Sequence, residues 1–270
     1  MTVEPTVGHS DGRLRLAAGD ALLVVSPADG GRIESLLVGA RELIARVDRG
    51  PIWWGSFPMA PFAGRVREGR FTFRGQTWQL PLGMPPHAIH GIVHDRAWRI
   101  VDRETIEVRL GDPWPFAGSV RQRFALEPDR MQVTMELAAD EPMPASIGWH
   151  PWFPRRYDAG DADVELTFDA EAMFERGVDG LPTGRLVAPK PRPWDDCFTG
   201  LRGAPRLRWP DGFELVIASS CPNWVVFDER DDALCVEPQT APPDALNLDP
   251  TIVEPGSSLV ATMDWRWRSA

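Results

Sequence analysis

The chain has 270 residues, 43% of them hydrophobic, enough to bury a substantial core in one large domain or two small ones. Lys plus Arg number 29 against 39 Asp plus Glu, a net charge of −10, which argues against a general binder of nucleic-acid backbone because that needs clustered positive charge. Three cysteines without CxxC spacing argue against a disulfide framework or a cysteine zinc site and fit a reducing cytoplasm.

Met1-Thr2-Val3-Glu4-Pro5 carries no basic patch ahead of an apolar run, so no secretory signal is expected. The longest apolar runs are too short to cross a bilayer. Strand patterns begin at 13–17 and 22–25, which flank Ala18-Gly19-Asp20. Residues 71–73 and 77–80 flank Arg74-Gly75-Gln76, and residues 120–126 and 131–137 flank the turn-forming Glu127-Pro128-Asp129-Arg130. In 131–137 apolar and polar residues alternate without a fault, which describes a half-buried antiparallel strand. Residues 182–193 read as a long proline-rich loop, and 207–209 with 214–218 flank Pro210-Asp211-Gly212. No stretch of ten or more residues keeps a helical period, and 27 Pro with 24 Gly punctuate the chain throughout. The expectation is an all-β sandwich or barrel forming one large domain over residues 1–270.

Four clusters carry residues suited to chemistry. Arg65 follows the small-residue turn Pro61-Phe62-Ala63-Gly64, where a guanidinium can fork hydrogen bonds to hydroxyls. His87, His90 and His94 would share one face of a helix and suit a metal, but Pro85-Pro86 and Gly91 disfavour a helix there. A loop offering one or two imidazoles to a pocket is the expected arrangement. Asp195 and Asp196 are adjacent, so on a strand they point to opposite faces and at most one reaches a given site. Glu237 closes the apolar strand 234–236 before a proline-rich loop, with no neighbouring Lys or Arg.

His150 stands in Gly148-Trp149-His150-Pro151-Trp152-Phe153, the one histidine in the second half of the chain. By itself such a residue reads as packed core. Most of the twelve tryptophans also read as core, although indole faces stack well on the C–H faces of sugars.

Taken together and in order, these segments resemble the aldose 1-epimerase (mutarotase) family over roughly residues 20–265. Residues 61–66 match its P-F-x-x-R-I/V segment and residues 69–75 its G-x-F-x-F-x-G hairpin. His90-Gly91 match its H-G, residues 148–153 its G-x-H-P-x-F, residues 195–198 its D-x-x-F and residues 237–240 its E-P-x-T. The resemblance implies a single large antiparallel β-supersandwich of the galactose mutarotase-like kind. It implies His150 as general acid and Glu237 as general base, with Arg65, His90 and Asp195 binding sugar hydroxyls.

That chemistry removes a proton from the C1 hydroxyl and delivers one to the ring oxygen. The ring opens, the aldehyde rotates, and closure on the other face reverses both transfers. A carboxylate (reference pKa about 4.3) suits the hydroxyl and an imidazolium (about 6.5) the ring oxygen. No cofactor or metal is expected, since there is no redox change and no carbanion. Trp149, Trp152 and Trp224 are candidates for a stacking wall. The chain departs from the family pattern at Gly64, where many members have asparagine, and at Ile92-Val93-His94-Asp95 after the H-G pair. Arg155-Arg156 raise a hexose 6-phosphate as a second candidate substrate. Two further functions fit part of the same pattern: a non-catalytic carbohydrate binder on the same scaffold, and a metal enzyme built on His87, His90 and His94. The expected partner is a small-molecule sugar, with no nucleic acid and no membrane, for a cytoplasmic monomer or homodimer.

Overall fold

The computed structural model describes residues 11–46, 50–158 and 160–268; residues 1–5, read above for a leader, lie outside them. Side-chain alternation builds two large antiparallel sheets. Strands Gly118–Glu127 and Arg130–Ala139 pair from Gly118 opposite Ala139 to Glu127 opposite Arg130, and buried residues alternate with half-buried or exposed ones along both. One face of each strand is therefore core and the other faces solvent, as the faultless alternation in 131–137 predicts. Each Leu, Met or Phe on the buried face contributes about 1.5–3 kcal/mol of burial. The hairpins expected around Gly19, Gly75, Pro128 and Asp211 all form.

The larger sheet has eleven strands. Ten run in the order Leu14–Ala18, Ala21–Ser26, Arg32–Val38, Ser56–Met59, Gly148–Pro154, Ala233–Gln239, Asn223–Phe227, Asp195–Leu201, Ala170–Arg176 and Pro182–Val187, and Arg41–Glu42 pairs beside Arg32–Val38. The smaller sheet has eight, from Arg99–Ile100 through Thr105–Arg109, Gly118–Glu127, Arg130–Ala139, Ser258–Arg268, Glu214–Ser219 and Arg206–Arg208 to Glu165–Thr167. Among the described residues the helices are the four-residue Ala245–Leu248 and a 3-10 turn at Arg67–Gly69. No helix among them is long and apolar enough to cross a membrane.

One expectation fails here. The proline-rich stretch 182–193 is not loop throughout, because Pro182–Val187 is an edge strand pairing with Ala170–Arg176. Proline is tolerated at the first position of an edge strand, where its missing N–H interrupts nothing.

The main core lies between the two sheets. Phe153 of the larger sheet meets Trp265 of the smaller with ring centroids 5.0 Å apart. Trp149 Nε1 donates to Gln122 Oε1 at 3.0 Å, and Gln122 Nε2 donates to the Gly31 carbonyl at 2.8 Å. A second apolar cluster, with Phe57, Met59, Trp152 and Cys235, is separate from that core. The central strands of the larger sheet are consequently buried on both faces, as Gly148–Pro154 and Ala233–Gln239 show along almost their whole length. A cleft opens above this second cluster.

Candidate active site

Strands Gly148–Pro154 and Ala233–Gln239 are neighbours, with Gly148 opposite Gln239 and Trp152 opposite Cys235. That register sets His150 across from Glu237, and His150 Nε2 lies 3.3 Å from Glu237 Oε1. No residue between those two pairs joins the ladder, and the interruption contains Pro151 and Pro238, which lack N–H donors. This corrects the expected end of the strand at Glu237. The strand continues through Pro238 to Gln239, and Glu237 is only 2% exposed, not a surface carboxylate.

Side-chain alternation decides which neighbours join the pair. Trp152, two residues from His150, shares its side of the sheet and lies 5.2 Å from the imidazole. Trp149 points the other way, into the core between the sheets, and Trp224 is buried without lining the cleft. Of the three tryptophans named for a stacking wall, Trp152 alone lines the cleft, and Trp53 joins it, its ring 5.7 Å from that of Trp152. Phe57 stacks on His150 from beneath at 4.6 Å and 16°.

The remaining predicted residues reach the cleft from other segments. Arg65 arrives on the short strand Arg65–Val66, paired with Ala88–Ile89. His90 follows that pairing partner with a left-handed backbone (φ 58°), its N–H bonded to the Gly64 carbonyl at 2.7 Å. A non-glycine residue rarely adopts this conformation, and here it turns the ring edge-on to His150 at 4.8 Å. Arg65 Nη1 lies 3.7 Å from Asp195 Oδ2, and Arg176 Nη2 lies 3.4 Å from the same oxygen. The cleft thus brings together His150, Glu237, Arg65, His90 and Asp195, and encloses about 740 Å³, open solvent included.

Contrary to expectation, Asp195 and Asp196 both line it. They occupy the first two positions of their strand, where Arg176 reaches both carboxylates and Lys190 Nζ sits 2.9 Å from Asp196 Oδ2. Arg176, Trp53 and Gln239 also line the cleft, and nothing in the sequence marks the first two. Gln239 alone had a signal, standing two residues from Glu237 on one strand; its Nε2 donates to Glu237 Oε2 at 3.3 Å.

His87 and His94 do not line the cleft. His87 Nδ1 accepts the Glu68 N–H at 3.1 Å, and His94 Nδ1 donates to the His90 carbonyl at 3.2 Å. With two of the three rings committed to backbone groups of a non-helical loop, the three-histidine metal arrangement does not form. Arg155 and Arg156 also lie away from the cleft. Arg155 is buried and donates to the carbonyls of Arg230 and Asp228, and Arg156 is paired with Asp163. The residues that suggested a phosphate group are therefore spent elsewhere.

Burial governs protonation. Desolvation holds His150 down to about 3, and desolvation with the nearby Asp195 carboxylate pushes Glu237 well above the usual carboxylate range. His90 is likewise held low by burial and by the neighbouring imidazole of His150. Burial thus disfavours the charged form of both partners of the contacting pair, where reference values would give a carboxylate and, below about 6.5, an imidazolium.

The departure at Gly64 has a steric cause. Its φ is +68°, and a Cβ there would sit 2.8 Å from Pro243 Cγ and 2.9 Å from Pro243 Cβ. Pro243 lines the cleft in the space a longer side chain would need. Gly64→Asn is expected to lower stability by about 1–3 kcal/mol from backbone strain and the Pro243 contact. Urea denaturation checks this, and a variant as stable as the parent would refute it.

The family described as aldose 1-epimerase matches residues 12–266. The uncharacterized protein YphB of Escherichia coli (strain K12) is 27% identical over 243 residues, which cover 78% of this chain and 82% of YphB. Two solved structures superpose over nearly the whole chain. A galactose mutarotase-like protein from Clostridium acetobutylicum has a TM-score of 0.82 at 15% identity, covering 99% of this chain and 98% of that one. Galactose 1-epimerase from Lactobacillus acidophilus NCFM has a TM-score of 0.77 at 18% identity, with the same coverage. At these identities the two structures establish the fold, and it is the all-β galactose mutarotase-like sandwich that the resemblance implied.

Proposed function

We propose that this chain, which belongs to the aldose 1-epimerase family, interconverts the α and β anomers of a free hexose or related aldose. The observation that carries the reading is the 3.3 Å contact between His150 and Glu237 in an open cleft. A pure sugar binder has no use for a buried acid–base pair at that distance. Substrate hydroxyls entering the cleft supply the solvation that burial removed, and a proton passes from Glu237 to His150. Glu237 then takes the proton of the C1 hydroxyl as His150 protonates the ring oxygen, and closure on the opposite face returns both. Arg65, held near Asp195, and His90 beside His150 bind the sugar hydroxyls and fix the ring against Trp152.

No cofactor or metal enters this cycle, because no electrons are transferred and each proton has a donor and an acceptor. The engagement of Arg155 and Arg156 elsewhere favours an unphosphorylated sugar. The partner is a small-molecule sugar, with no nucleic acid and no membrane, and the enzyme works in the cytoplasm as a monomer or homodimer built on one domain.

Polarimetry on fresh α-anomers of glucose, galactose, arabinose and glucose 6-phosphate tests the reading. Acceleration of at least one unphosphorylated sugar is expected; no acceleration, or acceleration of the phosphate alone, would sink it. The same assay carries a pH signature. Only below about 3 does His150 take up a proton, and only above the raised Glu237 value is the proton of that carboxyl lost. kcat/KM is therefore expected to lack the bend near 6.5 that an unshifted imidazole would give. An inflection at about 6.5 would show an ordinary imidazole at work.

A further inference from the structure

We propose that His150, Cys235 and Glu237 form a binding site for a thiophilic divalent cation such as zinc, and that its occupancy shuts the acid–base pair down. The three ligand atoms lie within 4.8 Å of one another, and all three residues are buried. Their placement follows from the fold. Cys235 and Glu237 are two residues apart on one strand and share a face, and Trp152 opposite Cys235 sets His150 diagonally across from the thiol. Both strands lie in the middle of the larger sheet, so the backbone already holds the three groups together.

Around a tetrahedral zinc ion, nitrogen, oxygen and sulfur ligands stand roughly 3.3–3.6 Å apart. His150 Nε2 and Glu237 Oε1 already meet that spacing at 3.3 Å. The Cys235 sulfur lies within 4.8 Å of both, so reaching metal-bonding distance asks a shift of about 1 Å of it. Gln239 Nε2, bonded to Glu237 Oε2, orients the carboxylate and leaves Oε1 for the metal. Since His150 and Glu237 line the cleft, the ion has an entry path, and water from the cleft completes its coordination.

Charge supports the assignment. The bound ligands are a thiolate, a carboxylate and a neutral imidazole. Two anions and one dication make a neutral cluster, which suits a desolvated pocket, whereas a lone thiolate or imidazolium does not. The thiolate selects zinc, cobalt(II) or cadmium over magnesium and calcium. Each ligand atom taken by the metal is withdrawn from proton transfer, so zinc becomes a reversible inhibitor competitive with sugar.

Metal binding stands apart from the epimerase reading; only the inhibition rests on it. Cobalt(II) titration of the purified, metal-free protein therefore comes first. One equivalent is expected to produce a thiolate-to-cobalt charge-transfer band in the near ultraviolet and tetrahedral d–d bands in the visible, both displaced by zinc. Cys235→Ser is expected to abolish the charge-transfer band and weaken zinc binding ~10²-fold, since even residues that only orient a ligand cost 10- to 100-fold. It is expected to keep its mutarotation and lose its sensitivity to zinc. A cobalt spectrum with no thiolate band, a band that survives in Cys235→Ser, or zinc inhibition unchanged in that variant would each overturn the proposal. If the protein shows no mutarotation at all, the spectra alone still decide the site.

Discussion

His150→Ala and Glu237→Gln are each expected to slow mutarotation by ~10²–10⁴-fold, the usual size of a lost general acid or base. The two residues lie 3.3 Å apart, and the proposed cycle moves its protons through both of them. The double variant is accordingly expected to be little slower than either single one, as groups acting as a unit are not additive. Polarimetry on fresh α-anomers measures this; near-normal rates in either single variant would remove that residue from the mechanism. Stability separates lost chemistry from lost fold. Glu237 has its carboxyl raised by burial, so below about pH 4.3 both folded and unfolded states are protonated and burial carries no ionisation cost. The cost grows as pH rises toward the folded value. Glu237→Gln, which cannot ionise, is therefore expected to gain thermal stability relative to the parent as pH rises from 4 to 8, while remaining inactive.

Arg32→Met is expected to destabilise the fold by about 3–5 kcal/mol. Arg32 is 1% exposed and spends its guanidinium on four carbonyls. Nε donates to Asp29 at 2.6 Å, Nη1 to Pro51 at 2.6 Å and Trp54 at 2.9 Å, and Nη2 to His94 at 3.0 Å. Trp54 covers it, with the guanidinium carbon 4.3 Å from the ring centroid. Burial lowers its pKa only to about 10, so the charge persists at neutral pH. Methionine fills the volume but leaves the carbonyls without donors, each worth about 1–3 kcal/mol before relaxation. Lysine is expected to restore less than half, because one ammonium cannot span four acceptors that a planar fork reaches. The same carbonyls flank Trp53 and follow His90, so KM for sugar should rise with the loss of stability. Guanidinium denaturation reads the effect, and a loss under about 1 kcal/mol would contradict it.

The hairpins were readable because alternation and turn chemistry are local. Leu137 and Met131 face one way whatever the rest of the chain does, and Pro128 with Asp129 turns the chain between them and the preceding strand. The site was readable only in part. His150, Glu237, Arg65, His90 and Asp195 were each ambiguous alone and gained meaning from their joint order along the chain. Pro238 reads as a strand stop, yet the strand carries Glu237 in its interior and runs on to Gln239. The proline's missing donor is harmless only where the ladder to the neighbouring strand is already interrupted, and the neighbour is far away in sequence. Trp149 and Trp152 looked equivalent as aromatic flanks, yet odd and even positions on a strand buried on both faces lead to different places, one to the core and one to the cleft.

By itself the sequence determined an all-β chain, its main hairpins and its membership in the aldose 1-epimerase family. These rest on short-range pattern and on residue identity. Only the tertiary structure decided that the imidazole and carboxylate touch, that burial disfavours the charged form of each, and that the Cys235 sulfur lies within 4.8 Å of both. Those properties depend on strand register and on exclusion of water, and both arise only when segments distant along the chain close over one another.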